Sequence, residues 1–259
     1  MNKNLRTGLV IVSGIQVVFA LAFIFQVPAV TGLWPLVSTT PLSFTFIGSI
    51  FAAAAASTLW CLFVREHGAL SGIALDYIAI LLPVTILMLQ VAEGRASYIV
   101  YGIVCAGGAL FGLMLWLQTF RVPIKSAPPT PRIVYGSFVV FVIALAIAGG
   151  ALILKSPNVL PWNVTPETGA VFGWMFIGAA AYFAYAVVRP SWHNAGGQLA
   201  GFLIYDVVLI VPFLQRLSTN GPTVNLVIYL AVVIYSGVLA AYFLFVNSTT
   251  RLIAPRPVS

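Results

Sequence analysis

Two aspartates inside apolar segments are the residues of this sequence best suited to chemistry. The chain holds five acidic residues, and three of them (Glu66, Glu93 and Glu167) lie at the ends of apolar segments. Asp76 and Asp206 lie well inside such segments, where placing an aspartate in a bilayer costs about 2.5–3.5 kcal/mol. Because of that cost, we expect both side chains to face the interior of a helix bundle and to have a partner there.

Both aspartates have the same kinds of neighbour. Gly-x-x-x-Gly motifs at 68–72 and 197–201 precede them, and small residues at this spacing let helices approach closely. Tyr77 and Tyr205 are the predicted hydrogen-bond partners within a ligand site. When the glycines are aligned, the order of Asp and Tyr is reversed between the two copies. The two carboxyl groups are therefore expected to point about 100° apart.

Two interpretations of these aspartates stay open. In the functional one, Asp76 and Asp206 form a proton or cation site, or a counter-charge for a cationic substrate. In the structural one, each is a protonated side chain that hydrogen-bonds to a tyrosine or a backbone carbonyl between helices. No basic residue lies at a matching depth of an apolar segment, so the sequence offers neither aspartate a buried ion pair.

Composition indicates what kind of molecule positions these residues. The chain is 61% hydrophobic and 7% charged, with a mean hydropathy of +1.06, whereas soluble domains carry about 25% charged residues. An all-α integral membrane protein with eight transmembrane helices is therefore predicted, since each apolar segment is near the ~20 residues that span a bilayer. The segments run over about 7–27, 42–64, 68–91, 97–119, 133–154, 167–188, 196–215 and 223–246.

The chain also repeats itself. Trp34 and the Thr40-Pro41 pair recur as Trp162 and the Thr165-Pro166 pair, and glycines and prolines further along recur in the same order. Four helices in each copy, an even number, give both copies the same orientation in the membrane. We therefore predict two parallel four-helix repeats, 1–121 and 133–251, with pseudo-two-fold symmetry about an axis along the membrane normal.

The basic residues indicate the orientation. Nine Lys and Arg residues lie on the side of the termini and three on the other side, which predicts a cell-membrane protein with both termini cytoplasmic. This distribution also explains the net charge of +7 without a nucleic-acid partner. Residues 122–132, which include four prolines, are predicted to be a cytoplasmic linker, and 252–259 a disordered tail.

The two Trp-Pro loops fall on the outer side. Thr40 and Thr165 are predicted helix N-caps, each followed by a proline at the first helical position, and Trp34 and Trp162 are predicted interfacial anchors. The functional alternative is an outward-facing vestibule or lid that is built twice.

Neither an enzyme nor a metal or cofactor site is predicted, because the sequence lacks a recognisable catalytic or metal-ligating motif. Cys61 and Cys105 are expected to be small buried residues. The histidines His67 and His193 are the one feature that would suit an enzyme acting on lipids.

Two functions therefore remain. The first is a carrier of a small solute or cation, with its site at the repeat interface. The second is a non-catalytic scaffold or accessory subunit that packs against lipids, a second copy or another membrane protein. A cavity between the halves that contains both aspartates would favour the carrier, whereas a solid interior would favour the accessory subunit.

Overall fold

A computed structural model describes residues 3–36, 39–124 and 128–252, and for residues 3 and 4 it describes the backbone alone. Within these ranges, eight long helices are apolar enough to cross a membrane. They are α1 (Lys3–Ile24), α2 (Pro41–Phe63), α3 (Leu70–Gln90), α4 (Ala96–Thr119), α5 (Arg132–Ile153), α6 (Pro166–Val188), α7 (Trp192–Asn220) and α8 (Val224–Ala241). Helix α8 continues as a π-helical turn over Tyr242–Val246. The all-helical, multi-pass architecture predicted from composition is confirmed.

The Thr-Pro pairs begin two of the helices as predicted. Thr40 Oγ1 accepts a hydrogen bond from the backbone N–H of Ser43 at the start of α2 (3.2 Å). At the start of α6, Thr165 Oγ1 accepts one from the N–H of Thr168 (3.3 Å). In both helices the next residue is a proline at the first helical position. Local sequence therefore determines these two helix starts.

Helix α7 is longer than its apolar segment. The predicted segment was 196–215, and the helix runs from Trp192 to Asn220. Polar residues of the last turns, from Gln215 onward, remain helical until Gly221, whose φ of +74° ends the helix. A backbone conformation with this φ is open to glycine and costly for residues with a side chain, and hydropathy does not detect such a stop.

Two extensive helix pairs join the two halves of the chain. Helix α2 packs along α7, and α3 packs along α6. The flanking pairs are α1 with α2, α4 with α3, α5 with α6 and α8 with α7. Consecutive helices α2 and α3 touch little, and so do α6 and α7. Each half of the chain therefore packs against the other half through two extensive helix pairs.

Glycines make the two crossing pairs close. A Cβ atom on Gly201 of α7 would lie 2.5 Å from Ser57 Oγ and 3.2 Å from the carbonyl oxygen of Ala53 in α2. On α3, a Cβ atom on Gly72 would lie 2.8 Å from the ring of Tyr182 in α6. Both positions belong to the Gly-x-x-x-Gly motifs of the sequence, so the predicted role of these residues in close helix packing is confirmed.

The loops form two ends of the bundle. We call one the Trp-Pro end; it contains the segments 25–36, 39–40, 91–95, 154–165 and 221–223, with a short helix over Pro28–Thr31 in the first of them. At the opposite end, the peptide N–H of Trp192 donates to the carbonyl of Pro128 (2.9 Å), so the second part of the predicted linker is attached to α7. Residues 125–127 of that linker lie outside the described residues, and so do residues 253–259, which make up nearly all of the predicted tail.

Aromatic side chains fill the centre towards the Trp-Pro end. The rings of Phe46 in α2 and Phe172 in α6 lie 4.7 Å apart, and Phe176 contacts Phe46 edge-on at 5.7 Å. Trp162 packs on Phe46 at 5.6 Å. Helices α2 and α6 therefore meet through large rings in this half of the molecule.

Candidate functional site

Asp206 lies at the middle of α7 and is only 4% exposed. It faces α8 at Gly237, where an added Cβ atom would lie 3.5 Å from Asp206 Oδ2. Neither carboxyl oxygen has a hydrogen-bond partner among the described residues. Ser236 is adjacent in α8, but its hydroxyl donates to the carbonyl of Val232 in its own helix (2.7 Å). Asp206 is thus a buried acid that accepts no hydrogen bond in the described structure, beside a Ser236 hydroxyl that donates within α8.

A carboxylate in this position is costly in free energy. Nearly all buried polar groups in proteins are hydrogen-bonded, and each exception calls for an explanation. An unpaired charge in an apolar interior is disfavoured by several kcal/mol or more, so a bound proton or cation is the simplest chemical compensation. The expectation that each aspartate has a partner is not met by any described protein group at Asp206.

Asp76 lies in α3 and faces a different helix. Its Oδ1 would be 2.7 Å from a Cβ atom added to Gly178 of α6, so glycine at 178 leaves the space that the carboxyl group occupies. Asp76 is half-buried, in contrast to the fully buried Asp206. The described contacts of the two aspartates are therefore with α6 and α8, on separate helix interfaces.

The tyrosines next to the aspartates form hydrogen bonds with residues of other helices. The hydroxyl of Tyr77 accepts a hydrogen bond from Gln16 Nε2 of α1 (2.7 Å). The hydroxyl of Tyr205 lies 2.6 Å from that of Tyr229 in α8. The structure thus places Tyr77 and Tyr205 in hydrogen bonds with residues other than the aspartates, and a shared ligand site for all four residues stays a prediction.

A second set of buried polar groups lies between the middle of the bundle and its opposite end. Ser57 Oγ donates to the carbonyl of Gly197 (2.9 Å), and Gln198 Nε2 donates to the carbonyl of Tyr182 (3.2 Å). Several polar atoms of this set have no described partner, namely Tyr182 Oη, Gln198 Oε1, Asn194 Oδ1 and Gln16 Oε1. Sequence reasoning missed these residues, although Gln16 and Gln198 are polar residues within apolar segments.

The tryptophans of the repeated loops are buried. Trp34 and Trp162 are 9% and 4% exposed, so they pack inside the bundle and the predicted role as interfacial anchors is corrected. Trp162 Nε1 donates to Ser43 Oγ (2.9 Å). Trp34 Nε1 has no partner among the described residues. The burial follows from the aromatic centre, which offers both rings more contact than a membrane surface would.

A cleft of about 280 Å³ opens at the Trp-Pro end. It lies between the α3–α4 turn and the start of α6, with a wall from the first Trp-Pro loop. It is lined by Leu36, Gln90, Val91, Glu93, Arg95, Tyr98, Thr165 and Glu167. Neither aspartate lines this cleft, and sequence reasoning identified only Thr165 among its residues as part of a candidate site.

The opposite end holds a buried acid that the sequence placed at a helix end. Glu66 is fully buried in the α2–α3 loop, where Oε1 accepts a hydrogen bond from the N–H of Gly68 (3.3 Å). Its Oε2 lies 3.9 Å from His193 Nδ1 at the start of α7. Trp60 Nε1 donates to the carbonyl of His193 (3.0 Å). His193 therefore contributes to packing between α2 and α7.

In the described part of the chain, no three His, Cys, Asp or Glu side chains are close enough together to hold a metal ion. Cys61 and Cys105 are both buried and unpaired.

No protein-family model matches the chain, and neither does any curated protein sequence or solved structure.

Proposed function

We propose that the protein is a membrane carrier of a small solute or cation, with Asp206 as its ion-binding residue. The observation that supports this most directly is the buried carboxyl group of Asp206, which has no described partner for either oxygen. Ionisable residues inside membrane spans are rare and commonly belong to ion or proton pathways. A purely structural side chain at this position would be expected to have a hydrogen-bond partner.

The proposed binding event changes the charge of the α7–α8 interface. With a proton or a cation bound, the Asp206 carboxyl group would be neutralised and the cost of its burial lowered. Gly237 leaves the surface of α8 that faces this carboxyl group without a side chain. Asp76 at the α3–α6 interface is the second candidate site, with Tyr77 and Tyr205 as nearby hydrogen-bonding groups.

The duplication and the orientation are part of this proposal. If the chain is duplicated, α2 corresponds to α6 and α3 to α7, so the α2–α7 pair corresponds to the α6–α3 pair. Both of these are close pairs, which supports two parallel repeats related by a pseudo-two-fold axis. A location in the cell membrane with cytoplasmic termini is supported by the excess of basic residues at the opposite end. These residues are Arg6, Arg65, Arg121, Arg132, Arg189 and Arg251.

Difference infrared spectroscopy in the carboxyl region tests the ion-binding role. Purified protein in lipid nanodiscs would be taken from about pH 4 to about pH 9 and then exposed to Na⁺ or K⁺, with Asp206→Asn and Asp76→Asn to assign the bands. We expect a carboxyl band that responds to pH or to a cation and is absent from D206N. Carboxyl bands that respond to neither, with D206N folding normally, would refute the carrier.

The accessory-subunit hypothesis is supported by a separate observation, the large aromatic rings that fill the centre between α2 and α6. Under this hypothesis the protein has no catalytic activity and packs against lipids, a second copy or another membrane protein. Cross-linking in native membranes followed by mass spectrometry would detect such partners. Recovery of the monomer alone, together with a cation-responsive Asp206, would exclude this alternative.

A further inference from the structure

The carboxyl group of Asp206 meets few polar groups in the described structure. A Cβ atom added to Gly237 of α8 would lie 3.5 Å from Oδ2 and 3.8 Å from Cγ of Asp206, so this group rests against the backbone of α8. Beside it lies Ser236, which is 1% exposed. The Ser236 hydroxyl donates to the carbonyl oxygen of Val232 in its own helix (2.7 Å), so its proton is already in use.

A charge on Asp206 has no neighbouring opposite charge. In the described structure, α7 packs chiefly on α2 and α8 and touches α6 and the π-helical turn slightly. Of these four elements only α6 carries a charged residue, Glu167 in its first turn. On α7 itself, His193 and Arg216 are at least ten positions away from Asp206 in the sequence. The other titratable side chains of α7 and these elements are a cysteine and tyrosines, namely Cys61, Tyr182, Tyr185, Tyr205, Tyr229, Tyr235 and Tyr242.

A metal cation would find too few ligands at this position. Mg²⁺ and Ca²⁺ take about six or more oxygen ligands, and K⁺ in selective channels is also surrounded by oxygens that replace its water shell. The described surroundings of Asp206 offer its own two carboxyl oxygens and Ser236 Oγ. Pro212 leaves the carbonyl of Val208 without its helical donor, but Val208 lies about 200° around α7 from Asp206. A proton, in contrast, needs only one oxygen.

We infer that the ion bound by Asp206 is a proton, and that Ser236 Oγ accepts the hydrogen bond of the resulting carboxylic acid. A proton from water forms an O–H bond with one carboxyl oxygen and cancels the charge of the group. A hydroxyl has two acceptor lone pairs besides its donor, so Ser236 can accept from Asp206 while it donates to Val232. Ser236 is thus a positioning residue for the acid. This inference rests on the proposed carrier function and makes the carrier proton-coupled.

Infrared spectroscopy of isotopically labelled aspartate tests the identity of the ion, because Asp76 and Asp206 are the only aspartates of the chain. The labelled Asp76→Asn protein, in lipid nanodiscs, isolates the Asp206 band. Its pH titration would be run in NaCl, KCl, MgCl₂ and N-methyl-D-glucamine chloride at one ionic strength. We expect the same proton affinity in all four salts within about twofold.

A competing metal ion gives a different result. At a concentration of about ten times its Kd, it would lower the apparent proton affinity of Asp206 about tenfold. Such a shift would overturn the inference and leave the carrier in place. A carboxyl group that stays protonated throughout, without a response to any cation, would refute the carrier itself and the inference with it.

Ser236→Ala tests the hydrogen bond of the acid. We expect the carboxylic band of Asp206 to move to higher frequency, because the acid loses its acceptor. Ser236→Cys keeps the volume with a weaker acceptor and should move the band in the same direction, so it serves if Ser236→Ala does not fold. Ser49→Ala is the matched control, since Ser49 is also buried and donates within its own helix (2.6 Å), but in α2. A band that stays in place in both Ser236 variants would overturn the role of Ser236.

Discussion

At the scale of single residues, the surroundings of a side chain decide what it does more than its type. Asp206 and Asp76 are the same residue type, each inside a long apolar helix, yet the first is fully buried against Gly237 and the second is half-buried against Gly178. Their place inside apolar helices followed from hydropathy, because apolar residues flank both of them. Which helix each aspartate faces depends on how the helices pack, and hydropathy carries no information about helix packing.

The two buried tryptophans allow the value of one hydrogen bond to be measured. Trp162→Phe should lower the free energy of unfolding by about 0.5–1.5 kcal/mol more than Trp34→Phe, because it removes the bond to Ser43 Oγ, which keeps its contact with Thr40 Oγ1 (3.0 Å). Trp34 has no such bond to lose, and both changes remove a similar volume. Thermal unfolding in the same detergent compares the two variants.

Ser43→Ala completes the comparison. It leaves the Trp162 indole N–H unpaired and also removes the contact with Thr40 Oγ1, so it should destabilise the protein at least as much as the hydrogen-bond part of Trp162→Phe. Equal unfolding temperatures for the two tryptophan variants, with Ser43→Ala unchanged from the parent, would contradict a stabilising role of this bond.

At the scale of the helices, local chemistry sets where they begin and glycines set how closely they pack. Thr-Pro pairs cap α2 and α6 through contacts three residues apart, which is why sequence alone predicted them. The contact of Gly201 with Ala53 and Ser57 joins residues far apart in the chain. The sequence motif indicated a close approach, and the partner helix became known only from the structure.

Replacing glycines with alanine should distinguish helix faces that pack closely from faces that are open. Gly201→Ala is expected to destabilise the protein by about 1–3 kcal/mol, because its Cβ atom would meet the backbone carbonyl of Ala53 at 3.2 Å. Gly150→Ala is the matched control in α5, since nothing lies within 4 Å of its added Cβ atom. Its effect should be neutral or slightly stabilising.

The measurement is the thermal unfolding midpoint of each variant in the same lipid nanodiscs. A Gly201→Ala variant that is as stable as Gly150→Ala would show that α2 and α7 do not approach each other as closely as the structure indicates.

At the scale of the whole molecule, the two halves depend on each other. Helix α2 has its main partner from the second half in α7, and α3 has its main partner there in α6. A fragment that ends in the linker would expose both of these glycine-containing surfaces and would retain only the α1–α2 and α3–α4 pairs as extensive contacts. The halves are therefore expected to fold together.

Splitting the chain tests this dependence. Fragments 1–126 and 127–259, expressed together with a purification tag on one, should co-purify and resist protease as the intact chain does. Each fragment expressed alone should be degraded or aggregate, because its cross-half surfaces have no partner. A first fragment that is monodisperse and protease-resistant by itself would contradict the mutual dependence and would favour two independent four-helix bundles.

The sequence by itself determined the membrane-spanning helical class, the approximate helix bounds, the Thr-Pro caps and the placement of the two aspartates inside apolar helices. These properties follow from the length of apolar runs and from contacts within a few residues. Tertiary structure decided that α2 pairs with α7 and α3 with α6, that Asp206 lacks a described partner, and that Glu93 and Glu167 share a cleft. Such features depend on the shapes of surfaces that meet only after folding, and no local pattern encodes which of eight similar apolar helices will be neighbours.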